Sequence, residues 1–182
     1  MKVGLYGGTF DPIHNGHLHV IKTLITQKLV DKLLVVPAGN PRLRENQPQA
    51  TGAQRRQMCQ LAVNSLDDDV KQHVEVNPIE VLREGPSYTI DTVDAIAQTY
   101  PGATIVVIVG TDVYSKIEQW HRADELKQKV EFLIIDRPDF PGSANLQIDA
   151  LKVSATQIRE RKSDAVPAAV AAFIKENNLY AS

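Results

Sequence analysis

His14 and His17 bracket Asn15-Gly16 directly behind the stretch Gly7-Gly8-Thr9-Phe10-Asp11-Pro12. Two imidazoles at this spacing can donate hydrogen bonds to phosphate oxygens, or they can form half of a metal site. A metal would need further ligands nearby. His19 has the wrong helical phase to join His17, and Cys59 stands alone, so no resident metal is expected. Lys2 to Tyr6 reads as a short buried strand, and the two glycines after it permit a tight turn whose backbone N–H groups face a ligand without a Cβ in the way. A helix is expected over 16–28, with Asn15 as N-cap and Leu18, Ile21, Ile25 and Leu29 recurring at helical spacing. Strand, glycine turn and helix N-terminus together make an anion site, because unpaired N–H groups and the positive end of the dipole converge there. The same dipole disfavours imidazolium, which leaves neutral rings able to donate. Phosphate chemistry on a nucleotide follows. Two rival phosphate motifs are missing: the chain has no G-x-x-x-x-G-K-[ST] and no G-x-G-x-x-G.

The elements that must position these residues alternate along the chain. Strands are expected at 2–6, 32–37, 73–77, 104–109 and 130–135, with a weaker one near 147–151. Helices are expected at 16–28, 52–65, 89–99, 112–118, 154–162 and 167–177. The runs Leu33 to Val36 and Ile105 to Val109 are continuously apolar, as parallel strands covered on both faces require. An α/β doubly wound parallel sheet results. Its ligands should lie beyond the carboxyl ends of the strands, at the switch in strand order. The glycine turn after the first strand and Gly110-Thr111-Asp112 after the fourth both occupy such ends. The polar segment Ala38 to Ala50 is the longest connection and the candidate lid.

Three further stretches carry polar groups, and each also has a plain structural reading. Ser154 and Gln157 form an S-x-x-Q capping box, while Thr156 and Arg159 beside them can clamp phosphates through hydroxyl and guanidinium donors. Ser87-Tyr88-Thr89 opens the 89–99 helix: Ser87 or Thr89 caps it, or its first N–H groups meet a carboxylate. Trp120, the single tryptophan, follows an amphipathic stretch in a polar setting, where it can pack or stack on a flat ring.

A chain of 182 residues is most economically one domain, 1–182, large enough for an ordinary core. Apolar content of 43% and charged content of 23% are those of a globular protein, and a net charge of −2 argues against broad capture of nucleic acid or anionic membrane. Cys59 cannot form an internal disulfide, and it is expected on a buried helix face with Met58, Leu61 and Ala62. The longest apolar run, Ala168 to Ile174, is too short to span a bilayer, and no signal-peptide pattern precedes the first strand. The expectation is a cytoplasmic protein.

Gly7-Gly8-Thr9-Phe10-Asp11-Pro12-Ile13-His14-Asn15-Gly16-His17 resembles the first motif of the HxGH nucleotidyltransferases. Val153-Ser154-Ala155-Thr156-Gln157-Ile158-Arg159 resembles their C-terminal motif, with Ala155 where a second serine is common. Gly85-Pro86-Ser87-Tyr88-Thr89 and Gly110-Thr111-Asp112 followed by Trp120 are similar to the bacterial nicotinate-nucleotide adenylyltransferases within that group. The resemblance covers residues 2 to 180. It implies a Rossmann-like fold and an in-line adenylyl transfer from ATP to nicotinate mononucleotide without a covalent intermediate, with Mg²⁺ neutralising the leaving pyrophosphate. By the same resemblance, His14, His17 and Arg159 act on the phosphates. Gly7, Gly8, Thr9, Phe10, Gly110, Asp112, Ser154, Thr156 and Ile158 bind ATP, and Arg44, Tyr88, Thr89 and Trp120 bind the acceptor. The family's P-x-H-K-like loop departs here to Asn40-Pro41-Arg42-Leu43-Arg44, with Leu43 in the histidine's place. The implied partners are small-molecule substrates, without nucleic acid or membrane, and homo-oligomerisation stays open. Two alternatives remain: another phosphorylated acceptor, such as nicotinamide mononucleotide or pantetheine phosphate, or a nucleotide-binding paralogue without turnover.

Overall fold

Stretches of β-branched and leucine side chains pair into one five-stranded parallel sheet in the computed structural model, which describes residues 1–40, 47–137 and 139–181. The strands β1 (Lys2–Gly8), β2 (Lys32–Pro37), β3 (Val74–Val76), β4 (Thr104–Gly110) and β5 (Glu131–Ile135) lie in the order β3-β2-β1-β4-β5. The chain winds outward from β1 to β3, then returns to place β4 on the other edge of β1, so the order reverses between β1 and β4. The register sets Tyr6 beside Val35 on one side and Ile108 on the other. The connecting helices are α1 (Asn15–Thr26), α2 (Gly52–Asn64), α3 (Asp68–Lys71), α4 (Ile79–Leu82), α5 (Thr89–Thr99), α6 (Thr111–Tyr114), α7 (Ala123–Lys129), α8 (Ala155–Arg159) and α9 (Ala168–Glu176). A 3-10 turn covers Ile117–Gln119.

Alternation along each strand divides the core between the two faces of the sheet. Tyr6, Leu33, Val35, Val106 and Ile108 join Leu18, Ile21 and Leu24 of α1, Met58 and Ala62 of α2 and Val170 of α9. Val3, Leu5, Leu34, Val36, Val107 and Val109 meet Ile90, Val93 and Ile96 of α5 and Leu126 of α7 on the opposite face. Helices on both faces explain why β2 and β4 read as unbroken apolar runs. Cys59 is fully buried in the first cluster, where burial pushes its thiol far up and keeps it a packing residue. Among the described residues no helix is long and apolar enough to cross a membrane.

The expected strand near 147–151 does not form. Only an isolated bridge joins Ile135 to Leu146, and the side chain of Asn145 occupies the open edge of β5, accepting from Ile134 N–H at 2.7 Å and donating to Phe132 C=O at 2.8 Å. The inside–outside alternation of 147–151 is real, since Ile148 packs on the first cluster, but alternation reports facing and not pairing. The stretch read as one helix over 112–118 is α6 plus the 3-10 turn, and α3, α4 and α7 were not foreseen. Helices of four to seven residues carry too few turns to produce a periodic pattern.

Candidate active site

The end of β1 runs into α1 through a loop that is almost wholly buried, with Thr9, Phe10, Asp11, Ile13 and His14 all under 10% exposed. His14, and not Asn15, is the N-cap of α1, and its extended backbone (φ −141°, ψ 174°) turns the chain into the helix. Its N–H donates to Nδ1 of His17 at 3.1 Å, and the two rings stack with centroids 3.7 Å apart. A ring nitrogen that accepts carries no proton, so the neutral His17 ring holds its proton on Nε2. The imidazole of His14 is held neutral by burial, which pushes it down to about 4, and by the Arg137 guanidinium. Desolvation thus favours the same neutral ring that the helix N-terminus favours. Its Nδ1 is buried without a hydrogen-bond partner.

Gly16 is required by this stacking. A Cβ there would stand 2.9 Å from Val153 Cγ1 and 3.0 Å from Cε1 and Nδ1 of His14. Gly8 answers to Phe10 in the same way, since a Cβ would come within 2.9 Å of that ring. Phe10 adopts a left-handed backbone (φ 50°) and points inward, edge-on to Tyr6 at 5.7 Å and to His17 at 5.0 Å. Only its main chain is left to face a ligand. Gly7 has ordinary space around it.

Two arginines brace the loop. Arg159, the last residue of α8, donates through Nη1 to Asp11 C=O at 2.8 Å and through Nη2 to Thr156 Oγ1 at 3.0 Å. Arg55 of α2 is 1% exposed and donates to the carbonyls of Thr9, Ala50 and Gly39 at 2.7, 3.3 and 3.4 Å. Ser154 caps α8 as its sequence pattern predicts, accepting from Gln157 N–H at 3.2 Å, and Ile158 packs inward. Thus the end of α8 is tied to the loop that leads into α1, although nearly 150 positions separate Arg159 from Asp11.

At the carboxyl end of β4, Gly110 caps α6, and a Cβ on it would lie 2.4 Å from Asp112 Oδ1 and 3.0 Å from Arg137 Cγ. Arg137 Nε stands 4.0 Å from Asp112 Oδ1, and the Arg137 N–H donates to Thr111 Oγ1 at 3.2 Å. A cleft of about 560 Å³ opens beside Thr111 and Asp112, walled by Tyr114 and Phe140. Among the described residues no group of three His, Cys, Asp or Glu side chains is placed to hold a metal ion.

The third cluster lies at the start of α5. Tyr88 is its N-cap residue, and among the described residues no side chain caps the helix and Ser87 Oγ is buried without a hydrogen-bond partner. Of the two readings of this stretch, the cap by Ser87 or Thr89 is the one not found, which leaves the first-turn N–H groups at Tyr88 and Thr89 to another acceptor. His121 stacks on Tyr88 at 4.2 Å, and Tyr88 and Trp120 are each partly buried against the second core cluster. Beneath this turn, Thr92 Oγ1 donates to the buried Glu80 carboxylate at 2.9 Å and accepts from Arg83 at 3.2 Å. Burial raises the Glu80 carboxyl above the usual carboxylate range. Arg44 and Leu43, and the middle of the candidate lid, lie outside the described residues.

Sequence reasoning missed Arg55, Arg137, Glu80 and His121. Arg137 follows the short apolar run of β5 at a strand's carboxyl end, and that position was the available signal. Arg55 and Glu80 sit on helices with no motif around them, and only burial singles them out.

An open parallel sheet with a glycine turn, two helix starts and several cations at its switch point defines a nucleotide-binding α/β protein. The cytidylyltransferase-like family model matches residues 5–161. A probable nicotinate-nucleotide adenylyltransferase of Bacillus pumilus is 34% identical over all of this chain and 99% of its own length. The nicotinate-nucleotide adenylyltransferase of Bacillus subtilis is 33% identical over the same shares. In fold, the chain superposes on the Plasmodium falciparum nicotinic acid mononucleotide adenylyltransferase complexed with NaAD with a TM-score of 0.83, covering 98% of this chain and 97% of that one at 19% identity. The chain belongs to the cytidylyltransferase-like family and, within it, to the nicotinate-nucleotide adenylyltransferases.

Proposed function

We propose that this chain joins ATP and nicotinate mononucleotide into nicotinate adenine dinucleotide and pyrophosphate, a step of NAD biosynthesis. The observation that carries the reading is the His14–His17 pair, in which a hydrogen bond of 3.1 Å sets the proton of the neutral His17 ring on Nε2. A phosphate oxygen of the acceptor attacks the α-phosphorus of ATP in line, the bond to the β-phosphate oxygen breaks, and pyrophosphate leaves. No enzyme nucleophile takes part, so positioning and charge stabilisation supply the rate. His14, His17 and Arg159 hold the transferring and leaving phosphates, with Ser154 and Thr156 beside them. Main-chain groups of Gly7, Gly8, Thr9 and Phe10 meet the nucleotide, Gly110, Asp112 and Ile158 border the adenosine, and Arg137 adds positive charge nearby. Tyr88 and Thr89 offer N–H groups to the pyridine carboxylate, Trp120 stacks on the ring, and Arg44 adds charge for the acceptor. A Mg²⁺ bound with the triphosphate would be held through phosphates and water more than by a protein cage, and would supply charge neutralisation for the pyrophosphate that leaves.

Pyrophosphate release measured with nicotinate mononucleotide, nicotinamide mononucleotide and pantetheine phosphate tests the reading. Nicotinate mononucleotide should give the highest kcat/KM. His17→Ala should lower its kcat by about 100-fold or more while leaving ATP affinity nearly intact, because preorganised donors act chiefly on the transition state. ATP binding without release from any acceptor would make the protein a nucleotide sensor.

A further inference from the structure

Asp11 is 3% exposed, and its carboxylate collects three donors from two distant parts of the chain. Gln49 N–H reaches Oδ2 at 2.9 Å, Ala50 N–H reaches Oδ1 at 3.1 Å, and the Tyr180 hydroxyl donates to Oδ1 at 2.7 Å. A buried carboxylate is tolerated only with its lone pairs satisfied, so each donor fixes its rotamer. The main-chain oxygen of the same residue accepts from Arg159. Asp11 is therefore the point where the loop after β1, the entry to α2, the end of α8 and the segment after α9 are tied together.

Tyr180 reaches that point at a conformational cost. Its backbone is left-handed (φ 57°), a region that bulky side chains rarely occupy unless the surroundings impose it. Leu179 and Tyr180 pack on the first core cluster, and Leu179 N–H donates to Ile174 C=O at 2.9 Å, which seats the segment behind the phosphate site. Burial and the Asp11 carboxylate push the phenol well above its ordinary range, so it stays a donor throughout the working pH range.

We infer that Tyr180 is a positioning residue for the phosphate site: its hydroxyl locks the Asp11 carboxylate, and Asp11 holds the Thr9-to-His14 loop and Arg159 in register with each other. Tyr180 needs no contact with substrate. The inference rests on the transfer reaction proposed above for the meaning of that register, while the contact itself can be tested without it.

The variant is Tyr180→Phe, which keeps the ring and its packing and removes one donor. Amide exchange followed at His14, whose N–H is bonded to His17 Nδ1, and at Val107 in β4 gives a readout independent of activity. Exchange at His14 should rise about 10-fold, as expected when a buried acceptor loses one of its donors, with Val107 unchanged. With nicotinate mononucleotide as acceptor, kcat should fall about 10-fold and KM for ATP should hold, because small misplacements of phosphate donors are felt in the transition state. In an Arg159→Lys background the same substitution should change kcat less than about 2-fold, since both side chains act through the placement of one residue, Asp11. No selective change at His14, or equal acceleration at His14 and Val107, overturns the inference whatever the rate does. A wild type that releases no pyrophosphate ends the functional reading alone, and the exchange at His14 still decides the role of Tyr180.

Discussion

At His14 an imidazole is buried with one ring nitrogen unpartnered, an arrangement that only the neutral ring tolerates. This has a stability consequence with a definite sign. The ordinary histidine value is 6.5, and in the folded protein burial and Arg137 bring His14 to about 4. Below pH 6.5 the unfolded chain binds a proton that the folded chain refuses, so stability is full above that point and is lost as pH falls toward 4. The loss from this residue is about 3 kcal/mol. Urea denaturation of wild type and His14→Asn at pH 7 and pH 4 should show the wild type losing about that much more than the variant. Parallel losses would mean that His14 takes up its proton without unfolding. The histidine pair was legible from spacing and the glycine turn alone. Its internal geometry was not, because the burial of the rings and the charge beside them depend also on Val153 and Arg137, which arrive from other elements.

Among the elements, α5 shows how an absent contact can matter. A helix that begins without a side-chain cap leaves its first N–H groups to an external acceptor, and the positive end of the dipole makes an anion the best one. A carboxylate meeting the N–H groups at Tyr88 and Thr89 gains charge-assisted bonds where a carboxamide offers only a neutral oxygen. Two such bonds differ by about 1 kcal/mol each, roughly 30-fold in favour of nicotinate over nicotinamide mononucleotide. Trp120→Ala should weaken both substrates alike, since stacking depends on the ring they share. Competition kinetics on wild type and variant checks both halves, and a variant indistinguishable from wild type would leave Trp120 as packing against the second core cluster. The S-x-x-Q box of α8 formed as its pattern requires, with donor and acceptor three residues apart. The expected strand at 147–151 failed because Asn145 had already satisfied the β5 edge.

For the molecule as a whole, Arg55 is the most demanding commitment, a fully buried guanidinium whose carbonyl partners lie after β1, after β2 and before α2. Arg55→Leu should destabilise the protein by about 3 kcal/mol, because the carbonyls it serves lose donors in a place water does not reach. Equilibrium unfolding measures this, and a loss below about 1 kcal/mol would show that the loop after β1 stands without it. The sheet and its winding were readable beforehand because the signals are local: unbroken apolar runs of strand length, helical periodicity between them, and glycines at β1 and β4 where the backbone must turn tightly. The phosphate-site motifs were readable for the same reason, each lying within about a dozen consecutive residues. Tertiary structure alone decided what braces them. Arg55, Arg137 and Tyr180 carry no local pattern, and the contacts Arg55–Thr9, Arg137–Thr111, Arg159–Asp11 and Tyr180–Asp11 span 46, 26, 148 and 169 positions, so no short window along the sequence contains both halves of them. Local propensity chooses elements, whereas the satisfaction of buried polar groups is settled only when distant elements pack and water leaves.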